Sequence, residues 1–204
     1  MKKKILAVGV WLAAGSALAQ FMGLPLAGGA QAPVTGETRG SAGAVMGDEF
    51  NLYGGRLTFA PVQPLAIFAD LGAFDPDAGD VGWAVQLGGQ FTLPLKESVL
   101  DVALRGVWDR ADYDLDAGEA TSSGFNVGVL VSRSVEFLTP YAYAGLNFVD
   151  TEVDIKGRGK HTDDSTDLAL AIGALVHLGG PLSLYAEVAY VDDAFVGIGG
   201  RWQF

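Results

Sequence analysis

Two histidines, His161 and His177, and no cysteine stand among the 204 residues, so the chemistry open to this chain is narrow. The absence of cysteine excludes a disulfide framework, a thiolate zinc site and a cysteine nucleophile. His161 has Asp163, Asp164 and Ser165 close by in sequence, a base with carboxylates within reach. His177 stands beside a short turn, and no G-x-S-x-G pattern supports a serine triad. The expectation is that the chain is not an enzyme and that it carries no cofactor. Asp112, Asp114 and Asp116 alternate like the start of a calcium loop, but positions six and twelve hold Ala117 and Ser123 where glycine and glutamate are required. Lys156-Gly-Arg-Gly-Lys160 lacks the phosphate-loop spacing, and Gly197-Ile-Gly199-Gly200 sits in a strand rather than a strand-to-helix turn.

Six other charged residues form a set of a different kind. Arg56, Asp70, Asp101, Arg105, Glu187 and Arg201 interrupt long runs in which apolar residues alternate with small or polar ones. Val81, Trp83, Val85, Leu87, Phe91 and Leu93 share one face of such a run, and Gly82, Ala84, Gln86, Gly88, Gln90 and Thr92 share the other. The same period of two returns at Phe125–Val131 and Leu168–Leu178. Successive side chains point to opposite faces of a strand, so each run is a strand with one apolar face.

The pattern predicts strands over 50–60, 64–74, 81–93, 98–111, 122–134, 140–153, 165–178, 182–191 and 195–204. Breaks of two sorts alternate between them. Tight breaks fall at 61–64, 94–98, 136–140 and 179–181; longer acidic ones fall at Asp75–Asp80, Asp112–Ser122 and Asp154–Asp164. Short turns on one rim and longer polar loops on the other characterise an outer-membrane barrel, which in single-chain bacterial form has an even strand number. A tenth strand is therefore expected before residue 50, over 36–46. The fold class is all-β, a transmembrane antiparallel up-and-down barrel of ten strands, with eight as the alternative.

Composition agrees. Half of the residues are hydrophobic, 29 are glycine and the net charge is −11. An acidic chain does not suit a nucleic-acid partner. Lys2–Lys4, the apolar run Ile5–Ala14 and Ala17-Leu18-Ala19 read as a secretory signal over 1–19, cut before Gln20. Its removal takes away three lysines and no acid, so −11 becomes −14. Residues 20–35 are rich in Gly, Ala and Pro and are expected to form a flexible tail at the inner rim that can tuck into the lumen, with the barrel over 36–204. Trp83, Trp108, Tyr190, Trp202 and Phe204 stand near strand ends, where aromatic girdles belong.

The closing segment, Tyr190 to Phe204, carries apolar residues at every second position and ends on an aromatic residue. It resembles the C-terminal strand of Gram-negative outer-membrane barrels, and the whole of 36–204 resembles the small-barrel group of opacity-type, OmpX-type and YfaZ-type proteins. That resemblance implies a cell outer-membrane location and export. It also implies Trp202 and Phe204 as the signal read by the assembly machinery, with outer-membrane lipid and lipopolysaccharide as surroundings. The group includes adhesins and narrow pores.

By alternation the six charged residues point into the barrel, and a hairpin centred near Asp193–Ala194 would place Glu187 and Arg201 opposite or one pair apart. They fit a salt-bridge plug or the charged lining of a pore. Small inward residues (Gly82, Gly88, Gly128, Gly145, Gly173) would leave room for water. The leading expectation is a narrow, weakly selective, porin-like channel for ions or small solutes. The alternative is a closed barrel presenting short acidic loops for adhesion or surface packing.

Overall fold

The computed structural model describes residues 27–48, 50–76, 80–95, 98–115, 118–155, 159–191 and 193–204. The leader read at 1–19 lies outside the described residues. Ten strands form one closed antiparallel barrel: β1 (Thr38–Met46), β2 (Phe50–Val62), β3 (Leu65–Pro76), β4 (Gly82–Thr92), β5 (Asp101–Leu115), β6 (Gly118–Ser132), β7 (Leu138–Ile155), β8 (Gly159–His177), β9 (Leu182–Val191) and β10 (Asp193–Gln203). Each strand pairs with its chain neighbours, and β1 closes the ring on β10 with Ser41 opposite Arg201. Closure leaves no unpaired edge, so every strand can bond its backbone on both sides.

The outside is apolar and the inside mixed. Leu57, Leu71, Leu87, Leu104, Val129, Leu146, Leu168, Ile172, Val188 and Ile198 are exposed around the circumference. Two aromatic rings bound this band. Tyr53, Trp83, Trp108, Phe125, Phe148 and Tyr190 stand at one level, and Phe59, Phe91, Trp202 and Phe204 near the opposite rim. On β4 the two rings are eight residues apart, Trp83 to Phe91, about 26 Å along the strand at roughly 3.3 Å per residue.

The acidic segments expected as loops are largely strand. β5 and β6 run to Leu115 and from Gly118, and β7 and β8 run to Ile155 and from Gly159. Past Trp108, Phe125 and Phe148 the alternation keeps its period but inverts its phase. Arg110, Asp114, Glu119, Asp150 and Asp154 now face outward, while Ala111, Tyr113, Ala120, Val149 and Val153 are buried inside. The sheet is long because its inner face stays apolar where its outer face turns to water. The turns on the opposite rim include the longest connection, 93–100, so the expected sorting of loop lengths does not hold.

Candidate functional site: the barrel lumen

Inward glycines take the aromatic rings of neighbouring strands. A Cβ added at Gly173 would meet the Tyr141 ring at 2.4 Å, one at Gly145 the Tyr143 hydroxyl at 2.4 Å, one at Gly199 the Tyr185 hydroxyl at 2.3 Å, and one at Gly88 the Phe68 ring at 2.3 Å. The space expected for water at these glycines is thus filled by rings. At the outer end Phe195, Phe50, Phe74 and Tyr113 stack in a chain with centroids 5.2, 5.1 and 4.9 Å apart, reaching from β10 to β5. One contiguous buried cluster draws residues from all ten strands and from Ala30 of the N-terminal segment.

That segment occupies the mouth at the inner rim. Ala30 is fully buried; its N–H donates to Ser132 Oγ at 2.7 Å and its carbonyl accepts from Thr92 Oγ1 at 2.9 Å. Gln90 Nε2 donates to the Gly29 carbonyl at 3.2 Å, and Gln31 Nε2 donates to Ser134 Oγ. A Cβ at Gly29 would lie 2.9 Å from Ser132 Cβ, so only glycine fits there. Where Glu37 meets the rim, its carboxylate accepts from Arg39 and from the Val34 N–H at 2.9 Å. From residue 27 onward the tail is thus tucked into the lumen and bonded there; 20–26 lies outside the described residues.

Of the six charged residues singled out in the sequence, Arg56, Asp70, Arg105 and Glu187 are buried inside the barrel. Arg201 is half-buried and lines a chamber against the tail. Asp101 begins β5 at the inner rim opposite Ser132, outside that chamber's lining. Arg56 donates through Nε to Asp70 Oδ1 at 2.7 Å and through Nη2 to Oδ2 at 2.6 Å, and also reaches Gln86 Oε1 at 3.1 Å. Glu187 and Arg201 are not neighbours: Glu187 is registered with Gly197, and Arg201 with Ser183. β9 runs to Val191 and β10 resumes at Asp193, so the hairpin is centred earlier than the sequence suggested.

Direct cross-strand partners join into one polar row. His177 pairs with Ser183, Ser183 with Arg201, Arg201 with Ser41, Ser41 with Arg56, Arg56 with Asp70, Asp70 with Gln86 and Gln86 with Asp109. Barrel strands tilt, so a row that follows the hydrogen-bonding direction climbs as it circles. It begins at the inner rim, where His177 bonds Thr139 Oγ1 and Ser183 Oγ at 3.0 Å each, and ends in the outer half of the lumen.

The upper end holds polar atoms with no partner among the described residues: both Asp109 carboxylate oxygens, Asn126 Nδ2 and both amide atoms of Asn147. Asn126 and Asn147 are direct partners, and Asn126 Oδ1 accepts from the Tyr143 hydroxyl. Sequence reading put Gln86 on the face away from lipid but singled out none of Asp109, Gln86, Asn126 and Asn147 as lining residues, although Asp109 shares the strand parity of Arg105.

Among the described residues no group of three or more His, Asp or Glu side chains could hold a metal ion. His161 is exposed on the outer extension of β8, four residues from Ser165, whose hydroxyl donates to Asp167.

No family model matches the chain, and no curated protein matches it. Solved structures do. The N-terminal β-barrel domain of Pseudomonas aeruginosa OprF is 12% identical over 84% of this chain and 100% of that one, with a TM-score of 0.43. The KdgM porin is 9% identical over 81% and 99%, TM-score 0.43. The attachment invasion locus protein Ail of Yersinia pestis is 16% identical over 84% and 100%, TM-score 0.37. Likenesses of this depth assign no activity; the architecture stands on the chain's own strand register.

Proposed function

We propose that the chain is a small outer-membrane β-barrel that stands closed at rest and carries an acidic β-sheet extension on its outer side. The apolar band between two aromatic rings fits hydrocarbon between two interfaces. The rise of β5–β8 past the outer ring then lies in water beyond the membrane. The observation that carries the closed state is the continuous packing across the lumen, from the seated Ala30 through residues of all ten strands to the Phe50–Phe74–Phe195 stack. Barrels of this size have interiors that side chains can fill. In this reading the extension, with Asp114, Glu119, Asp150, Glu152 and Asp154 facing out, is the working surface for adhesion or packing at the cell surface.

A second reading, a narrow channel, draws on the unpartnered Asp109, Asn126 and Asn147 atoms. Buried polar groups without protein partners are ordinarily satisfied by water. Planar-bilayer recording of the intact refolded protein separates the two. The closed barrel gives no unitary steps although it is folded and inserted. Steady single-channel conductance overturns it and establishes the channel.

A further inference from the structure

Four arginines converge on one small chamber between the tail and the barrel wall. Arg39, Arg56, Arg105 and Arg201 line a cavity of about 40 Å³ together with Gly28, Gly29 and Gln31 of the tail and Phe68 and Gln90 of the wall. On the measure that assigns roughly 10–15 Å³ to a water, this is room for a few waters or one small ion.

The four guanidinium groups are not equally neutralised. Arg56 is clamped by Asp70, and Arg39 is bonded to Glu37. Among the described residues no carboxylate lies within ion-pair distance of Arg105 or Arg201. Arg105 is 7% exposed, and its recorded partner is the Phe68 ring, 4.2 Å from its Cζ; Arg56 Cζ lies 4.6 Å from the same ring. Two guanidinium groups thus share one aromatic ring in a water-poor lumen, and one of them, Arg105, feels Asp70 and Glu187 only at a distance and is bonded to neither. Burying an unpaired charge is costly unless something supplies the opposite sign. A guanidinium's planar fork of donors matches oxygens arranged as in phosphate or carboxylate.

We infer that this chamber is a binding site for one small oxyanion, held chiefly by Arg105 and Arg201 and enclosed by the seated tail. The inference rests on the seated tail of the proposed closed barrel. The ligand reaches the chamber from the inner rim, where Arg201 is half-exposed, and its charge neutralises the two arginines that the protein leaves unpaired.

Inorganic phosphate is the probe. The chain has no cysteine, so Gln31→Cys with Ser134→Cys, at two positions whose side chains meet at the inner rim, introduces two thiols that a short bis-maleimide joins, and this cross-link holds the tail in place. Phosphate binding is measured by titration calorimetry on this locked protein and on the unlocked one, folded in micelles at constant ionic strength with chloride as balancing salt. The expected result is saturable binding near one phosphate per locked barrel, weakened at least tenfold by Arg105→Gln or by Arg201→Gln. Where Arg105→Gln does not fold, Arg201→Gln at the half-exposed rim decides alone. No saturable binding to the folded, locked protein overturns the site, and so does binding that the folded variants keep undiminished. The lock separates the two proposals. If the unlocked barrel conducts, the closed reading fails while the locked form still reports on the chamber.

Discussion

Arg56 and Asp70 are direct cross-strand partners on β2 and β3, joined through two parallel N–H···O bonds of 2.7 and 2.6 Å inside the barrel. A two-pronged pair of this kind fixes geometry as well as charge. Removing one member leaves the other charge buried. Asp70→Ala is therefore expected to lower unfolding stability by about 3–5 kcal/mol, the usual cost of breaking a buried pair. Replacing both with leucine or methionine is expected to recover most of that loss. Urea unfolding in micelles, followed by tryptophan fluorescence, measures both changes.

Ring-over-glycine packing predicts a contrast between two alanine substitutions. At Gly173 the added methyl meets the Tyr141 ring at 2.4 Å, whereas at Gly106 nothing lies within 4 Å. Gly173→Ala should destabilise by about 1–3 kcal/mol, as overpacking does. Gly106→Ala should lie within about 0.5 kcal/mol of the parent, as an unconstrained surface change does. Unfolding midpoints measured side by side test the pair.

Asp109 gives a prediction of opposite sign. Its carboxylate is fully buried and makes no hydrogen bond among the described residues. Asp109→Asn keeps the shape and removes the cost of taking an ionisable carboxyl out of water on folding, so stability at neutral pH should rise, by about 1–3 kcal/mol. A fall in the unfolding midpoint would mean that water or an ion already satisfies the carboxylate.

Acid should loosen the tail through Glu37. Burial alone would raise its carboxyl pKa, but the hydrogen bonds from Arg39 and the Val34 N–H and the charges of Arg39 and Arg201 outweigh it and hold the group below its ordinary value. The folded value is thus depressed relative to the unfolded one. The stabilisation is complete above the ordinary glutamate value, about 4.3, and is lost as pH falls through the lower, folded value. Exchange of Ala30→Cys with 2,2′-dithiodipyridine, a disulfide that acid activates, read relative to the same thiol in the unfolded chain, should be slow at neutral pH and quicken severalfold as pH falls below about 4. Glu37→Gln should bring part of that increase at neutral pH.

Strand number, closure and the outward faces were legible in the sequence because alternation with period two is a local signal. The weak β1 run became readable through the even-number rule rather than through its own residues, whose outward side chains are Thr38, Gly40, Ala42, Ala44 and Met46. The outer extensions were misread because acidity was taken for loop. Asp112 and Asp154 stand on strands whose inner partners, such as Tyr113 and Val153, stay buried, so the phase of the pattern carried the message and the charge did not. Parity also placed Arg56, Asp70, Arg105 and Glu187 inward. It could not give their partners, since pairing depends on hairpin centres, and an error of about two residues at one turn moved Glu187 from Arg201 to Gly197. A tail tucked into the lumen was open to sequence reading, but its partners were not, because the hydrogen bonds join residues about a hundred positions apart, such as Ala30 and Ser132.

The climbing row from His177 to Asp109 has a consequence for how the chain finds its alignment. A lipid-facing surface that is apolar at nearly every outward position looks the same after any strand slides by two residues, so the exterior cannot tell correct pairing from a two-residue slip. The interior can. Sliding β3 against β2 by two would set Arg56 opposite Phe68 or Gly72 in place of Asp70. The inward polar residues thus serve as the notches of a key, making one alignment distinct among many that the membrane would accept equally.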